Sequence, residues 1–99
     1  MNAPLTNSTI SKLKSIAQKL EPILALGKAG ATDAFIKSLD EALAQHELVK
    51  IKFAAFKDER KTLAPQLAEK SNSQLIWIVG HVAVFYRQQP DAEKRKVAL

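Results

Sequence analysis

Residues 23–33 read Ile-Leu-Ala-Leu-Gly-Lys-Ala-Gly-Ala-Thr-Asp. Pro22 and Gly27 bound the apolar run Ile23–Leu26, which is too short for a helix and long enough for a buried strand. Thr32 then opens a helical pattern: its hydroxyl can cap free N–H groups, and Asp33 places a negative charge where the helix dipole favours one. Two of the chain's three glycines fall in the Gly-Lys-Ala-Gly link between strand and helix. Strand, glycine loop and capped helix in direct succession indicate an α/β fold.

Upstream, residues 6–20 read as a helix. Ile10, Leu13, Ile16, Ala17 and Leu20 recur at helical spacing, with Thr6 or Ser8 as cap. Lys12, Lys14 and Lys19 lie off that stripe, and Pro22 stops the helix by disfavouring α geometry at Glu21. Downstream of the loop, Ile36, Leu39 and Leu43 carry the buried face of a second helix ending near Gln45-His46. Leu48–Phe53 alternates apolar and charged, so it reads as a strand with one buried face and one wet, basic face bearing Lys50 and Lys52. A third helix is expected over residues 58–71, either bent at Pro65 or starting near Thr62. Residues 74–87 read as a hairpin whose Gly80-His81 pair has the type II′ order. Pairing Val79 with Val82 puts Leu75, Trp77, Val84 and Tyr86 on one face, and Ile76, Ile78, Ala83 and Phe85 on the other. Both faces are apolar, so both are expected to be covered, or one to meet a partner protein. The order α-β-α-β-α-β-β implies a mixed four-stranded sheet with helices mainly on one face.

Ninety-nine residues with 46% hydrophobic content make one small domain spanning 1–99, of which residues 90–99 form a basic tail. The absence of cysteine excludes disulfides and thiolate metal sites. No apolar run approaches the ~18 residues of a membrane span, and the start lacks the basic-then-apolar order of a signal peptide. A soluble cytoplasmic protein is expected. A net charge of +5 suits an anionic partner.

The glycine loop can admit a phosphate: glycine lacks a Cβ, the next helix offers unpaired N–H groups, and Lys28 adds a cation. An ordinary tight turn would satisfy the same spacing. The nucleotide-binding pattern Gly-x-x-x-x-Gly-Lys-Ser/Thr is absent. His46 and His81 have no second histidine at ligand spacing and no nucleophile context, so neither catalysis nor a metal site is expected.

Four ordered blocks now combine. They are Leu26-Gly27-Lys28-Ala29-Gly30; Ala42-Leu43 with His46–Lys52; Val79–Arg87; and Lys94-Arg95-Lys96. Together they resemble the CRM domain, the RNA-binding module of chloroplast RNA splicing and ribosome maturation proteins, and in particular its stand-alone bacterial YhbY type. The resemblance implies a fold similar to the C-terminal domain of a translation initiation factor. It also implies RNA binding without catalysis or cofactor, on ribosomal RNA in precursors of the large subunit. The residues expected to meet RNA are Gly27, Lys28, Ala29 and Gly30, then Lys12, Lys14, Lys19, Lys50, Lys52 and Arg87, and Lys94, Arg95 and Lys96 of the tail. Trp77 and Tyr86, if exposed, could stack on a base; core packing is the other reading. No membrane or small-molecule substrate is expected, and a monomer is favoured over a dimer. The alternative is a protein-interaction module on a ribosomal protein or homodimer partner. Trp77, Asn72-Ser73 and Pro65 depart from the family pattern.

Overall fold

A computed structural model of the chain describes residues 5–91, 93 and 95. The elements follow the expected order: α1 (Asn7–Ala17), β1 (Leu24–Leu26), α2 (Asp33–His46), β2 (Leu48–Phe53), α3 (Arg60–Lys70), β3 (Gln74–Val79) and β4 (Val82–Tyr86). A single 3₁₀ turn, Lys57–Glu59, precedes α3. The sheet runs β1-β2-β4-β3, with β1 parallel to β2 and the other neighbours antiparallel.

Two helices share one face of the sheet and α1 covers the other. On the first face, Leu39 and Leu43 of α2 and Leu67 of α3 pack on Val49, Ile51, Phe53 and Phe85. On the second, Leu13 and Ala17 of α1 pack on Leu48, Val84 and Tyr86. The second face of β2 is therefore not the wet, basic face that alternation suggests. Leu48 is buried there, and Lys50 Nζ donates to the carbonyls of Ala17 and Leu20, both at 3.0 Å. A cation at the negative end of α1 complements the helix dipole and occupies carbonyls that the helix cannot pair itself. Of the basic pair, only Lys52 is exposed.

The hairpin differs from simple alternation by one residue. Trp77 pairs with Val84, but Leu75 pairs with Phe85, so Ile76 is an extra residue in β3. This β-bulge moves Leu75 to the α2/α3 face and lets both Ile76 and Trp77 reach α1. Helices pack on both hairpin faces, while β3 stays half-buried along its length and Val79 exposed. Gly80 has φ +56 and His81 does not share the positive φ, as a type II′ turn requires.

The remaining departures have local causes. Asn72 adopts φ 52, a left-handed geometry that asparagine tolerates where glycine would otherwise serve. The third helix starts at Arg60, two residues before Thr62, and runs through Pro65, which leaves the carbonyl of Lys61 without its intrahelical donor.

One residue joins α2 directly to β2. Glu47 takes φ 62, its N–H donates to the Leu43 carbonyl, and its side chain is 1% exposed. Its carbonyl accepts from Arg87 N–H at 2.9 Å and its carboxylate from Gln89 N–H at 2.7 Å. Beside it, Arg87 Nη1 donates to Asp40 Oδ1 at 2.6 Å and to the Ser71 carbonyl at 2.8 Å, while Nη2 donates to the Asp40 carbonyl at 2.9 Å. One guanidinium thus ties β4 to α2 and to the α3–β3 turn.

Arg87→Met should lower stability by about 2 kcal/mol in urea denaturation, because the charged donors to two carbonyls are removed. Asp40→Asn should cost less than about 1 kcal/mol, since Asp40 is exposed and its carbonyl still accepts. A larger loss for Asp40→Asn would reverse that ranking.

Burial, reinforced by the Glu47 carboxylate, pushes the Tyr86 phenol above its ordinary value of 10.0, against an opposing pull from Arg95. The neutral phenol is the favoured form. Its contribution is complete below pH 10.0 and is lost as pH climbs through the raised folded value. Between pH 10.0 and that raised value the urea midpoint should fall more steeply for the wild type than for Tyr86→Phe.

Candidate nucleic-acid interface

The glycine loop is a closed turn. Gly30 N–H donates to the Gly27 carbonyl at 3.0 Å, which puts Lys28 and Ala29 at the exposed corner. No hydrogen bond engages the N–H of Lys28 or Ala29 among the described residues. Thr32 N–H then donates to the Gly30 carbonyl, and Thr32 Oγ1 accepts from Phe35 N–H at 3.1 Å, starting α2 as expected. Asp33 and Ala34 lie in the first turn, where N–H groups lack intrahelical partners.

The two glycines differ in what they require. Gly30 has φ +76, so the turn itself demands glycine there. Gly27 has no positive φ, and a Cβ built on it meets nothing within 4 Å. Neither backbone strain nor packing accounts for its missing side chain. What its absence provides is an unobstructed backbone surface beside Lys28.

Position in the sheet adds charge around this surface. The loop leaves the carboxyl end of β1, beside the carboxyl end of the parallel strand β2. Such ends are where open α/β sheets hold ligands. The chain after β2 is pinned back on the loop: Ala54 and Ala55 N–H both donate to the Leu26 carbonyl at 3.0 Å. Phe56 follows, against Gly30, and then Lys57. The β3–β4 turn reaches the same end, because Phe53 N–H donates to the His81 carbonyl at 2.7 Å. Lys28, Lys52, Lys57 and His81 therefore belong to one end of the sheet, and all four are exposed. Sequence reasoning missed Phe56 and Lys57 as members of this end. Their place depends on a pairing between residues 26 and 54–55, which no local pattern encodes.

The other candidates are dispersed. Lys12 and Lys19 are exposed on the α1 side of the sheet, across from α2. Lys14 is half-buried, with Nζ 5.4 Å from the centroid of the Trp77 ring, a cation–π contact. Lys50 caps α1, and Arg87 is held by Asp40 and Ser71. Arg95 is exposed and donates to the Gln89 carbonyl at 2.9 Å; Lys94 and Lys96 lie outside the described residues. Tyr86 is 3% exposed and belongs to the core under α1, so its ring is not a surface for stacking. Trp77 is half-buried in the same cluster, between α1 and β4. Among the described residues no group of three or more His, Cys, Asp or Glu side chains could hold a metal, and no helix is long and apolar enough to cross a membrane.

Comparison with known proteins agrees with this architecture. Residues 5–87 match the CRS1 / YhbY (CRM) domain. The chain is 36% identical over 91 residues to the probable RNA-binding protein PA4753 of Pseudomonas aeruginosa, covering 91% of this chain and 88% of that protein. It is 35% identical over 88 residues to the probable RNA-binding protein YqeI of Bacillus subtilis, covering 88% and 92%. The solution structure of the hypothetical protein SAV1595 from Staphylococcus aureus superposes with a TM-score of 0.77 at 31% identity, over 96% of this chain and 100% of that one. With the match extending over nearly its whole length, the chain belongs to the CRS1 / YhbY (CRM) domain family.

Proposed function

We propose that this protein is a non-catalytic RNA-binding protein that seats the RNA backbone on Gly27–Gly30. The observation that carries this reading is Gly27, whose bare backbone the fold itself does not need. A phosphate oxygen approaching it meets the free N–H groups at the turn corner, with Lys28 alongside. Lys52 and Lys57 extend the positive surface at that end of the sheet. Asp33 already complements the dipole of α2 and would repel phosphate there, so the seat lies on the turn and not on the first turn of the helix. Binding of this kind reads backbone and shape, and it weakens steeply with salt.

The names of the relatives support RNA as the ligand. The resemblance to the stand-alone bacterial type extends the proposal to ribosomal RNA in precursors of the large subunit. In that setting the protein acts in the cytoplasm as a monomer.

The loop is best tested by Gly27→Asp combined with Lys28→Glu. Gly30 is a poor target, because any side chain at φ +76 is strained and would confound folding with binding. The double variant should keep the wild-type circular dichroism and urea midpoint. Its affinity for ribosomal RNA should fall about tenfold or more, and its salt slope should shrink by about 1 for each phosphate it no longer neutralises. A folded double variant that binds ribosomal RNA like the wild type would sink the loop assignment. Association in extracts that survives ribonuclease would favour a protein partner instead.

A further inference from the structure

Phe56 is the residue that the fold explains least. Its backbone is left-handed, at φ 56 and ψ 36, a region that bulky L-residues avoid. A glycine or asparagine would satisfy the turn more readily. The side chain does not compensate by burial: Phe56 is 40% exposed, whereas Phe53 and Phe85 are 0% exposed. One of its neighbours is the glycine loop. A Cβ built on Gly30 would stand 3.5 Å from Phe56 Cε2 and 3.7 Å from Cζ. The ring thus lies beside the loop with part of its surface open to solvent. The turn that carries it is fixed by the bonds from Ala54 and Ala55 to Leu26, and Glu59 N–H donates to the Phe56 carbonyl at 3.1 Å. An exposed aromatic ring is held beside a bare backbone turn that carries Lys28, and Lys57 follows it in the chain.

From this juxtaposition we infer that Phe56 is a stacking platform for an unpaired RNA base whose phosphate lies on Gly27–Gly30. The inference rests on the RNA-binding reading of the loop and adds a ligand preference to it. Single-stranded nucleic acid is held by cations along its backbone and by rings under its bases. Here one end of the sheet offers both, at adjacent positions. A base inside a continuous helix is already stacked on its neighbours and gains nothing from the ring. An unpaired, bulged or terminal nucleotide does gain, so Phe56 directs the protein toward RNA that is locally single-stranded.

The test compares Phe56→Leu with Phe56→Tyr on two probes, a short single-stranded RNA and a perfect RNA duplex of the same sequence. Leucine keeps apolar volume against Gly30 but has no π face; tyrosine keeps the face. Phe56→Leu should weaken single-strand binding about tenfold or more, leave duplex binding within about twofold, and leave the salt slope unchanged, since the charge is the same. Phe56→Tyr should match the wild type on both probes. Equal weakening on both probes would mean that the ring only props the loop and would overturn the inference. Nuclear Overhauser effects between the Phe56 ring and base protons in the wild-type complex provide a readout independent of any variant's folding, and their absence would also overturn it. The loop double variant, run in parallel, keeps the two readings apart. If it loses both probes while Phe56→Leu binds like the wild type, stacking alone fails. If it binds both normally, the loop reading fails.

Discussion

The central strand β4 and the start of β2 are apolar on both faces, and the rest of the architecture follows from having to cover both. Val49, Ile51 and Phe85 require helices on one side; Leu48, Val84 and Tyr86 require one on the other. The chain meets this with two helices on one face and α1 alone on the opposite one. Helix α1 then needs a fixed end, and Lys50, projecting from the middle of β2, supplies it at the Ala17 and Leu20 carbonyls. With both faces covered, what stays open is the end of the sheet where β1, β2 and the hairpin turn finish. Lys28, Lys52 and Lys57 are exposed at that open end.

The same constraint sorts the positive charge. Lys50 and Arg87 look in sequence like members of a basic surface, yet each has backbone carbonyls to serve and is held in place by them. Lys14 lies over the Trp77 ring. The cations left exposed at the end of the sheet sit on turns and strand termini: Lys28, Lys52 and Lys57. Charge count alone would have merged these groups. Geometry separates cations that hold the fold together from cations presented to solvent.

Most of the fold was legible because its signals are local. Period 3.6 in α1 and α2, period 2 in β2, Thr32 before its helix and Gly80 at the turn each act within a few residues. The glycine loop was legible for the same reason, down to its cap. What escaped was set by distance in sequence or by a single extra residue. The bulge at Ile76 leaves no mark in an apolar run, because every residue of the run is acceptable on either face. The partners of Lys50 and Arg87 lie 16 to 47 residues away. Phe56 reaches the loop only through the bonds at Leu26, and its left-handed backbone contradicts what its residue type would suggest.

The strand order has a consequence for how the chain is made. β4 is the last strand in chain order, yet it lies between β2 and β3 in the sheet. A chain emerging from the ribosome therefore presents β1 and β2 with one edge bare until residues beyond 82 arrive to fill it. The latch from Arg87 and Gln89 to Glu47 closes later still. Folding from the amino end forward is excluded for this sheet, and its pairings are long-range, which slows collapse and exposes strand edges in the meantime. Lys50 and Lys52 place charge along that waiting edge, which blunts it while synthesis finishes.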